Sequence, residues 1–189
     1  MFKILKDYCT PKRGTKYSAY VDLFSAEDVI IGAGETKVIK LGVKLDLEEI
    51  INSNDEVYNN PDKFLKSHYL EVALRNSLGV KGLIISDGIE IIDLDYPDEI
   101  GLIVHNPMKN NTLCAYQDGT IGIDIYNDNT FLFIKKGDKV AQCTLKEHKG
   151  YLMGYETETL RTGGFGSTDK KTDTPIFDKP DFFKSNELN

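Results

Sequence analysis

Apolar and polar residues alternate with a period of two along most of this chain, and that period confines it to β architecture. Side chains of an extended strand point alternately to two faces, so such a run buries one face and wets the other. Segments near 17–24, 29–31, 36–47, 69–74, 82–86, 89–94, 100–105, 121–126, 131–134 and 139–145 read as strands. Turn signals separate them: IGAGE at 31–35, SDG at 86–88, QDG at 117–119 and KKGD at 135–138. Many short strands punctuated by Gly and Asp predict an all-β sandwich or jelly roll. The stretch 47–68 departs from the pattern. LEEII and DKFLK are helix-compatible, but the polar NSNDEVYNNP lies between them, so a loop with one or two helical turns is expected there.

The length of 189 residues favours one domain able to bury a real core. A charge of −7 is the wrong sign for a non-specific nucleic-acid coat. No apolar run approaches membrane-spanning length, and MFKILKDYC carries no secretory apolar run, so a cytoplasmic location is expected. Cys9, Cys114 and Cys143 lack metal or redox spacing, as do the scattered His68, His105 and His148. Reduced structural thiols are the reading that fits.

Four segments carry chemistry. LRNSLG at 74–79 puts an arginine before small polar residues, a set of donors suited to phosphate oxygens. SDGIEIIDLDYPDEIG at 86–101 places Asp93 and Asp95 on one side of an extended strand, with Leu94 opposite; either carboxylate could hold a water for in-line attack on phosphorus. KKGDKVAQCTL at 135–145 makes a tight turn into a buried strand and can present the Gln142 amide. LRTGGFGSTDK at 160–170 combines three glycines, two hydroxyls, Arg161 and Phe165, which lets backbone approach an anion closely.

With SAYVDLFSA at 18–26, these segments in this order resemble the ordered motifs of the trimeric, all-β dUTPases. SAYVDLFSA is similar to the family's A-G-x-D-L, IIDLDY to I-D-x-D-Y, GDKVAQ to G-D-R-I-A-Q, and RTGGFGST to the C-terminal arm. The resemblance implies a distorted jelly-roll (β-clip) homotrimer with sites at subunit interfaces, acting as a dUTP diphosphatase that yields dUMP and pyrophosphate. It implies that Asp93 activates the water that attacks the α-phosphorus. Tyr96 would stack under the deoxyribose and Phe165 would cover the base, with Asp87, Gly88 and Ile100 around the nucleoside. Arg75, Asn76, Ser77, Gln142, Arg161, Gly166, Ser167 and Thr168 would contact the phosphates. Asp22 would bind Mg2+ through water. The matching region runs to residue 168, with insertions at about 51–68 and 107–130. Residues 169–189 are expected to form a flexible extension, which, like 107–130, could bind a regulatory protein partner.

The chain departs from the family pattern at Tyr20, Asn76, Asp87 and Glu90, and its C-terminal motif is one residue short. Asp87 stands where a uracil-reading asparagine is often found; ionised, it offers acceptors only. That favours, as an alternative, a pyrophosphatase that also takes dCTP; the insert at 107–130 and the tail offer another, a nucleotide-gated protein-binding module. Deamination fits poorly, because GLIVHN offers Ile103 or Val104 where a glutamate would be needed.

Overall fold

The computed structural model describes residues 1–53, 55–109, 112–115, 119, 121–124 and 131–155. Two antiparallel sheets dominate. One has the order β1-β5-β9-β7, built from β1 (Phe2–Ile4), β5 (Thr36–Leu45), β9 (Glu99–His105) and β7 (Ile84–Ile85). The other runs β2-β3-β13-β6-β8, from β2 (Lys12–Arg13), β3 (Val21–Phe24), β13 (Lys139–Glu147), β6 (His68–Leu74) and β8 (Glu90–Asp93). Two smaller ladders pair β12 (Leu132–Ile134) with β4 (Val29–Ile31), and β10 (Thr112–Ala115) with β11 (Ile121–Asp124).

The core gathers the inward residues of both large sheets: Leu23, Ile39, Leu41, Val43, Leu70, Val72, Ile100, Leu102 and Val104 are fully buried. Each stabilises the fold by about 1.5–3 kcal/mol relative to exposure. Alternation sets these faces. In β8, Glu90 and Ile92 are buried while Ile91 and Asp93 are exposed. In β5 the ladder to β9 breaks between Lys40 and Lys44, where Gly42 takes a φ of +65°. A Cβ there would sit 2.6 Å from the Cys9 sulfur, so the bulge needs glycine on both counts.

The strands largely follow the expected segments, with three differences. Residues 17–20 are not a strand, because β3 starts only at Val21. Phe2–Ile4 forms an edge strand too short to carry a period of its own. Between 47 and 67 the chain forms three short helices rather than a loop with a turn or two: α1 (Leu47–Asn52), α2 (Asp55–Asn59) and α3 (Pro61–Ser67). Caps explain two of them. Asp46 accepts from the Glu49 amide at 3.1 Å and Asn60 from Lys63 at 3.3 Å, with Pro61 opening α3. Polar residues that interrupt a period also start helices. Buried Ile50 and Val57 anchor α1 and α2.

Candidate active site

The outer face of the five-stranded sheet brings Asp22 and Gln142 side by side, with Arg75 at the end of β6 beside them. Asp22 on β3 lies opposite Gln142 on β13, which lies opposite Ala73 on β6; Lys12 of β2 pairs with Asp22 from the other side. At the end of β6, the Arg75 amide donates to the Val140 carbonyl at 3.0 Å, which holds the residue against β13. Its guanidinium forms a hydrogen-bonded ion pair with Asp22 Oδ1. Chain reversal follows at once through α4 (Asn76–Gly79), anchored by buried Leu78, and leaves Asn76 and Ser77 exposed.

Asp22 is 4% exposed. Its Oδ2 is buried without a hydrogen bond, yet Lys139 Nζ stands 2.9 Å away. Burial pushes this carboxyl up, but Lys139 and Arg75 outweigh it and hold Asp22 below its ordinary value. Lys139 had no assigned role on sequence grounds, and the reason is geometric. An odd spacing from Gln142 puts Lys139 on the other side of a regular strand. A bulge between Lys139 and Ala141 turns it onto the same face. The Gly137–Asp138 turn fixes that placement, with Gly137 donating to the Ser25 carbonyl at 2.8 Å and the Asp138 carbonyl accepting from Ser25 at 2.9 Å.

Asp93 lies on the same face at the opposite end. It pairs with Tyr69 on β6, whereas Asp22 lies level with Ala73, four residues away and three strands across. With strands about 4.8 Å apart and a rise of about 3.3 Å per residue, that separation is roughly 20 Å. Between the two ends Glu71 accepts hydrogen bonds from Tyr20 and, at 3.2 Å, from Tyr69. The bond to Glu71 pushes the Tyr20 hydroxyl up to about 12. The strand ends at Asp93, where the Tyr96 amide donates back to the Asp93 carbonyl at 3.0 Å. Asp93 is exposed, Asp95 half-buried, and Leu94 and Tyr96 are in the core.

Asp87 and Gly88 occupy an exposed turn between β7 and β8, with Gly88 at φ +87°. Ile100 is fully buried, so only its backbone could meet a ligand. Arg161, Phe165, Gly166, Ser167 and Thr168 lie outside the described residues, as does the 169–189 extension. Cys9 and Cys143 are free and buried, and burial pushes the Cys143 thiol up to about 12, which makes it a packing residue. Among the described residues no His, Cys, Asp or Glu cluster could hold a metal by itself, and no helix is long and apolar enough to cross a membrane.

The β scaffold thus carries an arginine–carboxylate–lysine cluster at one end of a sheet face and a solvent-facing aspartate at the other. The comparisons narrow this. No protein-family model matches the chain. The deoxyuridine 5'-triphosphate nucleotidohydrolase of rabbitpox virus is 30% identical over 161 residues, which cover 85% of this chain and 79% of the viral protein. The mouse protein of the same name is 29% identical over 175 residues, covering 89% and 84%. A variant dUTPase from phage phi11 of S. aureus, described as revealing the coordination of a structural Mg(II) ion, superposes with a TM-score of 0.53 at 22% identity, over 88% of this chain and 98% of that one. The chain belongs to the dUTPase family.

Proposed function

We propose that this chain hydrolyses dUTP to dUMP and pyrophosphate, by attack of a water on the α-phosphorus, as a homotrimer with composite sites. The observation that carries the reading is the backbone separation of roughly 16–20 Å between Asp93 and the Asp22–Arg75–Gln142 cluster on one sheet face. A general base must reach its proton within about 3 Å, directly or through one water. That separation exceeds the span of a triphosphate measured from its α-phosphorus, which favours drawing the water-activating aspartate and the phosphate cluster of one site from different chains. Two chains placed around a symmetry axis can bring one end of each together.

In this reading Asp93 orients and deprotonates the water, Tyr96 limits space at the sugar, and the turn at Asp87 and Gly88, with the Ile100 backbone, faces the base. Arg75, Asn76, Ser77 and Gln142 bind phosphate oxygens, with Lys139 beside them. Arg161, Phe165, Gly166, Ser167 and Thr168 close over the nucleotide. Residues 1–168 act as one β domain, with 169–189 as an extension.

Magnesium fits this cluster only when carried in by the nucleotide. Asp22 already faces Arg75 and Lys139, and a lone carboxylate between two cations is a poor primary ligand. It can accept a hydrogen bond from water on an ion whose direct ligands are phosphate oxygens. Bound there, Mg2+ would neutralise and orient the triphosphate.

Pyrophosphate release from dUTP, dCTP, dTTP and UTP tests the substrate. Mixing tests the composite site. Asp93→Asn and Arg75→Ala, each strongly impaired alone, should recover about a quarter of wild-type activity after co-refolding, because mixed oligomers contain some intact sites. No recovery from two folded, oligomeric variants would place both residues in one chain's site.

The hairpin β10–β11 pairs with neither large sheet among the described strands. This supports a partner-binding role for 107–130, and a pulldown with hairpin-deleted protein that still captures the same partner would remove that role.

A further inference from the structure

Helices α2 and α3 border a cleft that none of the described phosphate or nucleoside residues lines. It measures about 660 Å3 and lies against the edge of the five-stranded sheet where β6 begins and β13 ends. Small-molecule sites run from roughly 300 to 1,000 Å3. Its apolar floor is Val57 of α2, which is buried, and Phe64 of α3, which packs against the core. The polar lining is divided between two walls: Asn60 and Lys63 stand on the helix side, His68 and Glu147 on the sheet side.

The sheet wall presents acceptors. Glu147 and His68 are cross-strand partners, so their side chains leave the same face side by side. The tautomer of His68 follows from its neighbours. Its Nδ1 lies 3.1 Å from the Phe64 carbonyl and 2.9 Å from Ser67 Oγ. The carbonyl only accepts, and the single Ser67 hydroxyl proton goes to the Lys63 carbonyl at 2.7 Å. Nδ1 therefore carries the hydrogen that both partners accept, and in the neutral ring Nε2 is a bare acceptor. Stacking on Phe64 holds the ring in place, with centroids 4.2 Å apart and planes at 21°. The His148 amide donates to the Ser67 carbonyl at 2.7 Å, which ties the end of α3 to the chain just beyond β13.

The helix wall presents donors. Asn60 uses its side-chain carbonyl to accept from the Lys63 amide at 3.3 Å, which leaves its NH2 group to donate elsewhere. The Lys63 ammonium is exposed, and among the described residues it does not pair with Glu147 across the cleft. Acceptors on one wall, donors on the other and an apolar floor define a ligand with an ammonium, a carboxylate and an apolar body. A metal ion would meet only two ligating side chains and a lysine, and a phosphate ester would meet Glu147.

We propose that this cleft is a second binding site, for a zwitterionic amino acid or short peptide with an apolar side chain. His68 Nε2 and Glu147 take the ammonium, Lys63 and Asn60 take the carboxylate, and Val57 with Phe64 takes the side chain. The site stands or falls apart from the dUTP reading.

Isothermal titration calorimetry of the full chain without nucleotide tests it. The probes are L-leucine and L-leucyl-L-leucine, with N-acetyl-L-leucine and L-leucinamide as forms that lack one charge. At least one zwitterion should saturate the protein with a Kd of about 1 mM or tighter, and the tighter of the two tells a free amino acid from a peptide. Each blocked form should bind at least about tenfold more weakly than L-leucine. Glu147→Gln and Lys63→Met alter exposed side chains and keep the fold, and each should weaken the zwitterion about tenfold. No saturation by either zwitterion overturns the inference. Blocked forms that bind as well as L-leucine overturn it too, because the apolar floor would then act alone. Zwitterion binding that both variants leave unchanged places the site elsewhere and overturns it as well.

Discussion

The two faces of the five-stranded sheet treat buried carboxylates in opposite ways. On the outer face, Asp22 is buried between two cations and is held in its charged form. On the inner face, Glu90 pairs level with Val72 and accepts from the Ile103 amide, and burial pushes its carboxyl up. Burial is the same within a few per cent, 4% and 6% exposed. The neighbours decide the charge.

The largest effect should come from Asp93, which lies outside both clusters. Asp93→Asn should lower kcat for dUTP by about 10³-fold with nucleotide affinity kept, as single-turnover and binding measurements would show. Near-normal turnover would remove Asp93 from the chemistry. Arg75→Ala comes next, with kcat/KM down about 100-fold. It also breaks the pair with Asp22 and should cost about 1 kcal/mol in denaturant unfolding, a modest figure because the arginine is about a third exposed and Lys139 remains. A loss of several kcal/mol would mean that Lys139 does not share the charge.

Stability against pH sharpens the comparison further. Glu90 has a raised folded value, so its contribution is complete below the ordinary glutamate range and is lost as pH rises through that raised value. Asp22 has a lowered value, so its contribution is present above the ordinary aspartate range and is lost as pH falls through the lowered one. Melting temperatures of Glu90→Gln should therefore gain on wild type as pH rises above about 4.5, and equal slopes in the two proteins would place the titration elsewhere. The smallest effect belongs to Lys139→Met. Its side chain is about half exposed, so a change under about 1 kcal/mol is expected, with a rise in KM for dUTP.

Much of the sheet content was legible because alternation is a local signal. Residues 69–74 and 100–105 repeat it over enough positions to be read without ambiguity. The helices at 47–67 were not, because their starts depend on Asp46 and Asn60 capping amides three residues on, and the same polar residues also mark loops. Arg75, Gln142, Asp22 and Asp93 could be named from the order of their motifs. Their separation into two ends could not, because it depends on which strands pair and in what register.

The sequence by itself determined that the chain would be built of strands, which residues would face inward along each one, and which motifs could handle phosphate and a nucleoside. Those properties follow from the two-residue period and from side-chain chemistry, both local. Only the tertiary structure decided that Lys139 joins Asp22, that Glu90 reaches across to Ile103, and that Asp93 stands roughly 20 Å from Arg75. A bulge, a crossing between sheets and a ladder register each join residues far apart in the chain. No local pattern encodes such contacts, because their free energy comes from partners that the fold alone brings together.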